Sequence, residues 1–412
     1  MADNVAILAI LGARLLDKRQ VIIVGAGPTG LMLANLMGEA EIPCLLVERR
    51  SALPVESRAI GVAPPSLDLL ASLGLAETLI ARGVPVRDAI ISEGRRELGS
   101  LTFQHLPGPY PFVLSVPQSE TMGLLEEHLC TLGSVDYIRG TEFLGLTIDD
   151  DGVQVRLRDL ASGDERQANG TLLIGCDGNR SAVRRSSGFR YTHKRYGVSF
   201  FMADFEDSSD MGSDAVLFFT PEGAVESFPL PGGLRRWVAQ TESGPDDLTR
   251  SDLVDCVQRR TEIDLSEAKS TNISWWQPER LRCRRLYRGP VLLCGDAAHV
   301  MSPIGGQGMN TGLADAELAA HTVVRRLGGS PWDEVCSVYD HRRRRAFGAA
   351  ANRAAMGMWL GTRTGMSAPF RSLFLRYVLL RPPLVKGLPR HFAMLTIPFG
   401  RLQTHPAHTE PK

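Results

Sequence analysis

Three short runs of the chain are apolar throughout, and each is followed at once by a glycine-bearing turn. Val21 to Val24, Leu172 to Ile174 and Val291 to Cys294 have the pattern of strands buried on both faces. The first run leads through Gly25-Ala26-Gly27-Pro28-Thr29-Gly30 into a helical stretch from Leu31 to Ala40. A further strand, Cys44 to Val47, ends at Glu48. The second run meets Asp177-Gly178, with a helix opening at Ser181 to Arg185. The third meets Gly295-Asp296 and, past Pro303, Gly305 and Gly306, a helix that starts near Gly308. Between 190 and 275 the period changes. "GVSFFMADFE", "AVLFFTPEG", "VESFPLPGG" and "RRWVAQTES" are short aromatic or β-branched runs divided by Gly and Pro, which predict an antiparallel sheet. "PVRDAIISEG" and "ELGSLTFQ" (85–104) are expected to join it. From 331 the pattern returns to helix.

The first turn has the residues that dinucleotide binding requires. Gly25 permits a tight turn, and Gly27 lets the backbone approach a pyrophosphate. Gly30 lets the helix pack on the strand, and the helix start offers free N–H groups to phosphate. Glu48, 18 residues after Gly30, can accept from ribose hydroxyls. An acid there favours an unphosphorylated ribose, so FAD or NAD, and these residues alone do not separate the two.

Charge and cysteine content narrow the setting. Twelve Lys or Arg and no Asp or Glu lie between His341 and His408, and the preceding 340 residues are net negative by twelve. The expected arrangement packs the basic C-terminal helices on the acidic body; contact with an anionic membrane surface or an acidic partner is the alternative. Seven scattered cysteines without a CxxC, three of them (Cys44, Cys176 and Cys294) in or beside apolar runs, predict free thiols in a cytoplasmic compartment. No apolar run is long enough to span a bilayer. Residues 5 to 16 read as an extra helix or as an extension without an assigned use. "IDDDG" (148–152) reads as a hairpin turn rather than a cation site, and no metal is expected. Nothing points to nucleic acid.

In this order and at these separations the three turns resemble the fingerprint set of the single-component FAD-dependent aromatic hydroxylases, the para-hydroxybenzoate hydroxylase-like flavoprotein monooxygenases. The resemblance implies FAD at the first turn, with Gly25, Gly27, Pro28, Thr29, Gly30, Glu48 and Arg49 around it. It implies that Gly295 and Asp296 meet the ribityl chain. The segment from Pro303 through Gly305, Gly306, Gly308, Met309 and Asn310 would lie along the isoalloxazine ring, and the helix there would aim its positive end at the N1–C2=O edge. Pro303 and Arg58 are the expected catalytic positions, Arg58 also touching FAD. Gln118, at the start of a helix burying Met122, Leu125 and Leu129, matches a FAD-contacting glutamine. Asp177 matches an acid that meets FAD and the nicotinamide nucleotide, and Arg180 beside it could take phosphate. His299 is expected to be structural.

The fold so implied is α/β: a Rossmann-like FAD-binding domain (1–84, 105–189 and 276–340), an inserted antiparallel substrate sheet (85–104 and 190–275), and a C-terminal helical segment (341–412). Phe200, Phe201, Phe218, Phe219, Phe228 and Trp237 are candidates for the substrate wall. The reaction implied uses NADPH or NADH as a transient co-substrate, and no second GxGxxG is present to hold it. Oxygen adds at the flavin C4a, and the hydroperoxide hydroxylates a small aromatic substrate. The rival readings are a flavin-dependent halogenase or double-bond reductase, and a flavin-binding protein without turnover. "WWQPE" (275–279) departs from the WxWxIP halogenase motif.

Overall fold

The computed structural model describes residues 20–397 apart from 55–58, 151, 243, 245–247, 304, 363 and 366–367. The expected helix at 5–16 and the candidate Arg58 lie outside the described residues. The first sheet runs, edge to edge, through strands 287–288, 291–293, 165–175, 20–24, 44–47 and 135–138. From 291–293 to 135–138 every neighbouring pair is parallel. Its central strands are the three apolar runs together with Cys44–Val47. They are buried throughout, in one core with the helices and with Phe143, Val153, Val155 and Leu157 of strands 141–149 and 152–159, and that is why they read as unbroken hydrophobic segments. Helix α1 (Pro28–Glu39) joins strands 20–24 and 44–47. Helix α2 (Gln118–Leu129) buries Met122, Leu125 and Leu129 as expected, and the short α3 (Ala182–Ser186) follows the second turn. Strands 141–149 and 152–159 form an antiparallel hairpin at "IDDDG", where the Gly152 N–H donates to Asp149 Oδ1 over 2.9 Å.

The second sheet has the order 270–276, 199–206, 234–241, 223–230, 215–220, 88–93, 96–102. Residues 88–102 join it as expected. It is not wholly antiparallel, since strands 215–220 and 88–93 run parallel. Those two strands are far apart in sequence, so no hairpin dictates their direction. Residues 191–195 leave this sheet and pair instead with 279–283, beside 299–300. One face packs on helix α4 (Arg250–Thr261), whose first turn is closed by a Thr249–Asp252 capping box.

Helix α5 (Gln307–Leu327) returns to the first sheet and α6 (Trp332–Gly361) follows it. Tyr339, Arg343, Ala346, Phe347, Ala350, Ala354 and Met358 recur with the helical period and make the buried stripe of α6. Its early part packs Phe347 with Ala63 and Met301 of the first unit, and further along Met358 packs with Phe200, Met202 and Val238 of the second sheet. The domain boundary expected at 340/341 therefore falls inside one unbroken helix. Helix α7 (Ala368–Phe374), a π-helical turn (Leu375–Leu379) and α8 (Leu384–Phe392) complete the described chain. Leu375, Leu379, Leu388 and Phe392 pack on Ala89, Ile91, Phe219 and Phe228.

Candidate functional site

The three turns meet at the carboxyl ends of the parallel strands, where open α/β sheets bind ligands. Backbone hydrogen bonds join them: Gly25 N–H to Val47 O (2.8 Å), Cys176 N–H to Val24 O (2.8 Å) and Cys294 N–H to Gly175 O (2.9 Å). Gly25 has φ +101°, and a Cβ there would lie 2.5 Å from Cys176 O. A Cβ on Gly30 would sit 1.8 Å from Gly25 O. A Cβ on Gly27 would meet nothing within 4 Å. Two of these glycines are demanded by the protein's own packing, whereas the third opens onto space a ligand can take. Gly27 is also the N-cap of α1, with Pro28 behind it and no side-chain cap. The first-turn N–H groups are thus left to an anion. Glu48 closes the rim, accepting from Ala26 N–H (2.7 Å) and Arg50 N–H (2.9 Å). Arg49 is exposed and turns toward Glu142 at 3.4 Å.

The two aspartates of the other turns serve different ends. Asp177 accepts from Ser181 Oγ (2.5 Å), Ala182 N (2.6 Å) and Val183 N (3.0 Å), so both its oxygens cap α3. Burial raises its pKa despite those bonds. Asp296 accepts no hydrogen bond among the described residues, and its side chain is exposed. Surrounding protein nonetheless desolvates it and pushes its carboxyl above the usual range. Arg184, not singled out in the sequence, links the second and third turns by donating to Ala297 O (2.9 Å) and Asn179 O (2.5 Å).

Behind Asp296 lies a buried charge cluster. Asp315 on α5 accepts from Gly295 N–H (2.9 Å), pairs with Arg343 Nε on α6, and has His299 Nε2 at 2.8 Å. The imidazole stacks on Phe347 with centroids 4.6 Å apart, the structural role expected of it. Burial by itself would raise the Asp315 pKa, but His299, Arg343 and their hydrogen bonds outweigh it and hold the group at about 2. Thr29 wedges α1 against α5, with its Oγ1 2.3 Å from where a Gly312 Cβ would lie and 2.6 Å from one on Gly295.

The loop before α5 is exposed at Pro303, Gly305 and Gly306. Gly306 caps α5 at φ +63° without a side-chain bond, and a Cβ on Gly308 would meet nothing within 4 Å. Beside this open helix start, the buried Gln307 Oε1 has no partner. An uncapped helix start, an open glycine and an unsatisfied oxygen fit a polar, hydrogen-bonding ring edge. Two expected ring contacts are otherwise engaged. The Asn310 amide accepts from Ala63 N–H (2.8 Å) and donates to Gly61 O (2.9 Å) and Gly306 O (2.7 Å), and Met309 packs toward the core. Gln118 begins α2, its N–H on Ala59 O at 3.0 Å.

On the second sheet, the wall candidates Phe201, Phe218 and Trp237 point to α4 and so lie on the face away from α6. Phe200, Phe219 and Phe228 occupy the face that α6, α7 and α8 cover. This same face holds two polar features that sequence pattern did not single out. Arg236 and Asp204 form a buried two-point pair (2.6 and 2.8 Å), with Asn272 Nδ2 at 2.9 Å. Glu226, next to inward-packed Val225 and across from Leu217 and Val238, accepts no hydrogen bond among the described residues. Desolvation alone raises its pKa to about 7. A cavity of about 250 Å³ lined by Phe201, Gln240 and Arg260 lies on the α4 side, away from the turns.

The profile of the FAD binding domain family matches residues 18–354. Rifampicin monooxygenase of Streptomyces venezuelae is 32% identical over 308 residues, which are 72% of this chain and 62% of that protein. 6-Methylpretetramide 4-monooxygenase of Streptomyces rimosus is 32% identical over 333 residues, 78% of this chain and 58% of that one. The chain thus spans about three fifths of the length of these curated relatives. The crystal structure of p-nitrophenol 4-monooxygenase from Pseudomonas putida superposes with a TM-score of 0.84 at 21% identity, covering 92% of this chain and 98% of that one, and so shares the fold.

Proposed function

The chain belongs to the FAD binding domain family, and on that premise we propose that it is a flavoprotein monooxygenase that puts one atom of O2 into a small, electron-rich aromatic substrate. NADH or NADPH supplies the electrons and binds transiently. FAD, when bound, accepts the hydride and activates oxygen. Gly27 and the α1 start receive its pyrophosphate, and Glu48 and Asp296 accept from its sugar and ribityl hydroxyls. The backbone N–H groups at Gly306 to Gly308 meet the polar edge of the ring, where the α5 dipole favours negative charge. Asp177, Arg184, Asn310, Asp315 and Arg343 act one step back, by holding the turns. Pro303 takes the substrate side in this reading, and the nicotinamide side stays assigned to Arg58, which lies outside the described residues. Phe200, Phe219 and Phe228 exclude water above the ring, and Glu226 takes the substrate hydroxyl. An acid with a pKa of about 7 can hold or release a proton there at neutral pH.

The observation that carries this reading is Asp296, without a hydrogen bond among the described residues, at the meeting point of three glycine turns. The free thiols Cys44, Cys176, Cys283, Cys294 and Cys336, all buried, agree with a reducing cytoplasm. Turnover under labelled O2 tests the reaction. One labelled atom should appear in the product and the other in water, with one NAD(P)H consumed. Label from water, or a product gaining halogen or hydrogen, would overturn the monooxygenase reading.

A further inference from the structure

We propose that the C-terminal helices form a docking surface for an anionic lipid bilayer. The segment 368–379 is apolar on two opposite sides. Ala368 is buried, and Leu375 and Leu379 face inward against the second sheet. Phe370 is 76% exposed, and Leu373, Phe374, Tyr377 and Val378 are each at least 44% exposed. The spacing of these five is i, i+3, i+4, i+7, i+8, which makes one continuous outward ridge. Leu384 extends it on α8, and Met356 and Trp359 at the end of α6 are also exposed. Of the twelve large exposed apolar side chains among the described residues, eight fall between 356 and 384. Scattered apolar residues are ordinary on a surface, but a contiguous set marks an interaction site.

Charge selects the occupant. Arg376, Arg381, Lys386 and Arg390 flank the ridge and pair with no acid among the described residues, and no Asp or Glu occurs from His341 to His408. A second copy placed face to face would oppose two basic surfaces. Phe370 stands out furthest, so a rigid protein partner would have to supply a matching groove, whereas a bilayer yields around it. Lipid phosphates complement the arginines while the aromatic and aliphatic groups enter the headgroup boundary. No described helix is long and apolar enough to cross a membrane, so contact would be peripheral. The inner side of these helices packs on Phe219 and Phe228, which would bring lipid close to the proposed substrate face.

The test is co-sedimentation of the intact FAD-loaded protein with vesicles of phosphatidylcholine, with and without phosphatidylserine. Binding to the anionic vesicles should exceed binding to neutral ones by about tenfold. F370S/F374S/Y377S should abolish it while leaving FAD content unchanged. R376Q/R381Q/K386Q, which leaves the ridge intact, should reduce binding to the neutral-vesicle level. Failure to sediment with anionic vesicles overturns the proposal, as does wild-type binding by either variant. So does a concentration-dependent dimer in light scattering that the Phe370 variant dissociates, since that outcome assigns the ridge to a second copy.

Discussion

The Gly295 N–H donates to Oδ2 of Asp315 over 2.9 Å, so the turn that carries Asp296 hangs from a carboxylate on a neighbouring helix. That carboxylate also neutralises the buried guanidinium of Arg343. D315N leaves Arg343 buried without its counter-charge, a change that typically costs about 3–5 kcal/mol. Thermal unfolding should show a loss of that order, together with weaker FAD retention. The pH dependence has a definite sign. The folded pKa lies below its ordinary 3.8, at about 2. Its stabilisation is present above about pH 4 and disappears as pH falls toward 2. The wild type should lose stability across that window, and D315N should lack that component.

Asp296 and Asp177 should separate under substitution to alanine. D296A removes no hydrogen bond within the described protein, so the FAD-free form should melt no lower than wild type. FAD affinity, followed by flavin fluorescence, should fall by about 10–100-fold, the worth of a charged hydrogen bond. D177A uncaps α3 and should cost about 1 kcal/mol even without FAD. A D296A protein that is destabilised when FAD-free, yet binds FAD normally, would show that the acid is structural.

A contrast within one turn tests the pyrophosphate site. G30A drives a methyl to within 1.8 Å of Gly25 O and should prevent folding of the turn. G27V enters open space in the protein alone, so it should fold with wild-type circular dichroism but purify colourless. A yellow, fully loaded G27V would remove the assignment of this turn to FAD.

Glu226 gives a second pH signature, opposite in sign to that of Asp315. Its folded pKa, about 7, lies above its ordinary 4.5. Its contribution is therefore complete below about pH 4.5 and is lost as pH rises through 7. E226Q should abolish that slope and melt higher than wild type at pH 8. If Glu226 also takes the substrate hydroxyl, the pH profile of substrate-stimulated NAD(P)H oxidation should flatten on its acidic limb. Unchanged melting and unchanged profiles together would exclude both roles.

The turns were legible because their signals are local. Unbroken apolar strands, Gly25 to Gly30 and the acid at 48 all fall within one strand-helix-strand unit, and the strand of Cys44–Val47 ends where the pattern places it. Pairings across space were not. Asp315 reads as one polar position in a helix, and Arg343 as one of four arginines in a basic run; nothing local announces that they meet. Alternation divided the second sheet into two faces but could not say which face α4 would cover, so Phe201, Phe218 and Trp237 stood as wall candidates beside Phe200, Phe219 and Phe228. Asn310 looked free to meet a ring, yet its partners, Gly61 and Ala63, lie almost 250 positions earlier.

Helix α6 also acts as a spacer. It grips the ring loop at Phe347 and the second sheet at Met358, eleven residues further on, so roughly 16 Å of rigid rod separates the two attachments. On the proposed assignment of the ring site, the gap above the ring is then set by counting residues in this helix. Adding one residue between the two grips would lengthen the rod by about 1.5 Å and swing Met358 about 100° around its axis, out of its seat against Phe200. Chains of this design would have difficulty drifting gradually toward larger or smaller substrates by insertions in α6. Changes of cavity size are more readily made by side chains on the sheet, at Phe200, Phe219, Phe228 and Glu226, while the length of the rod stays constant.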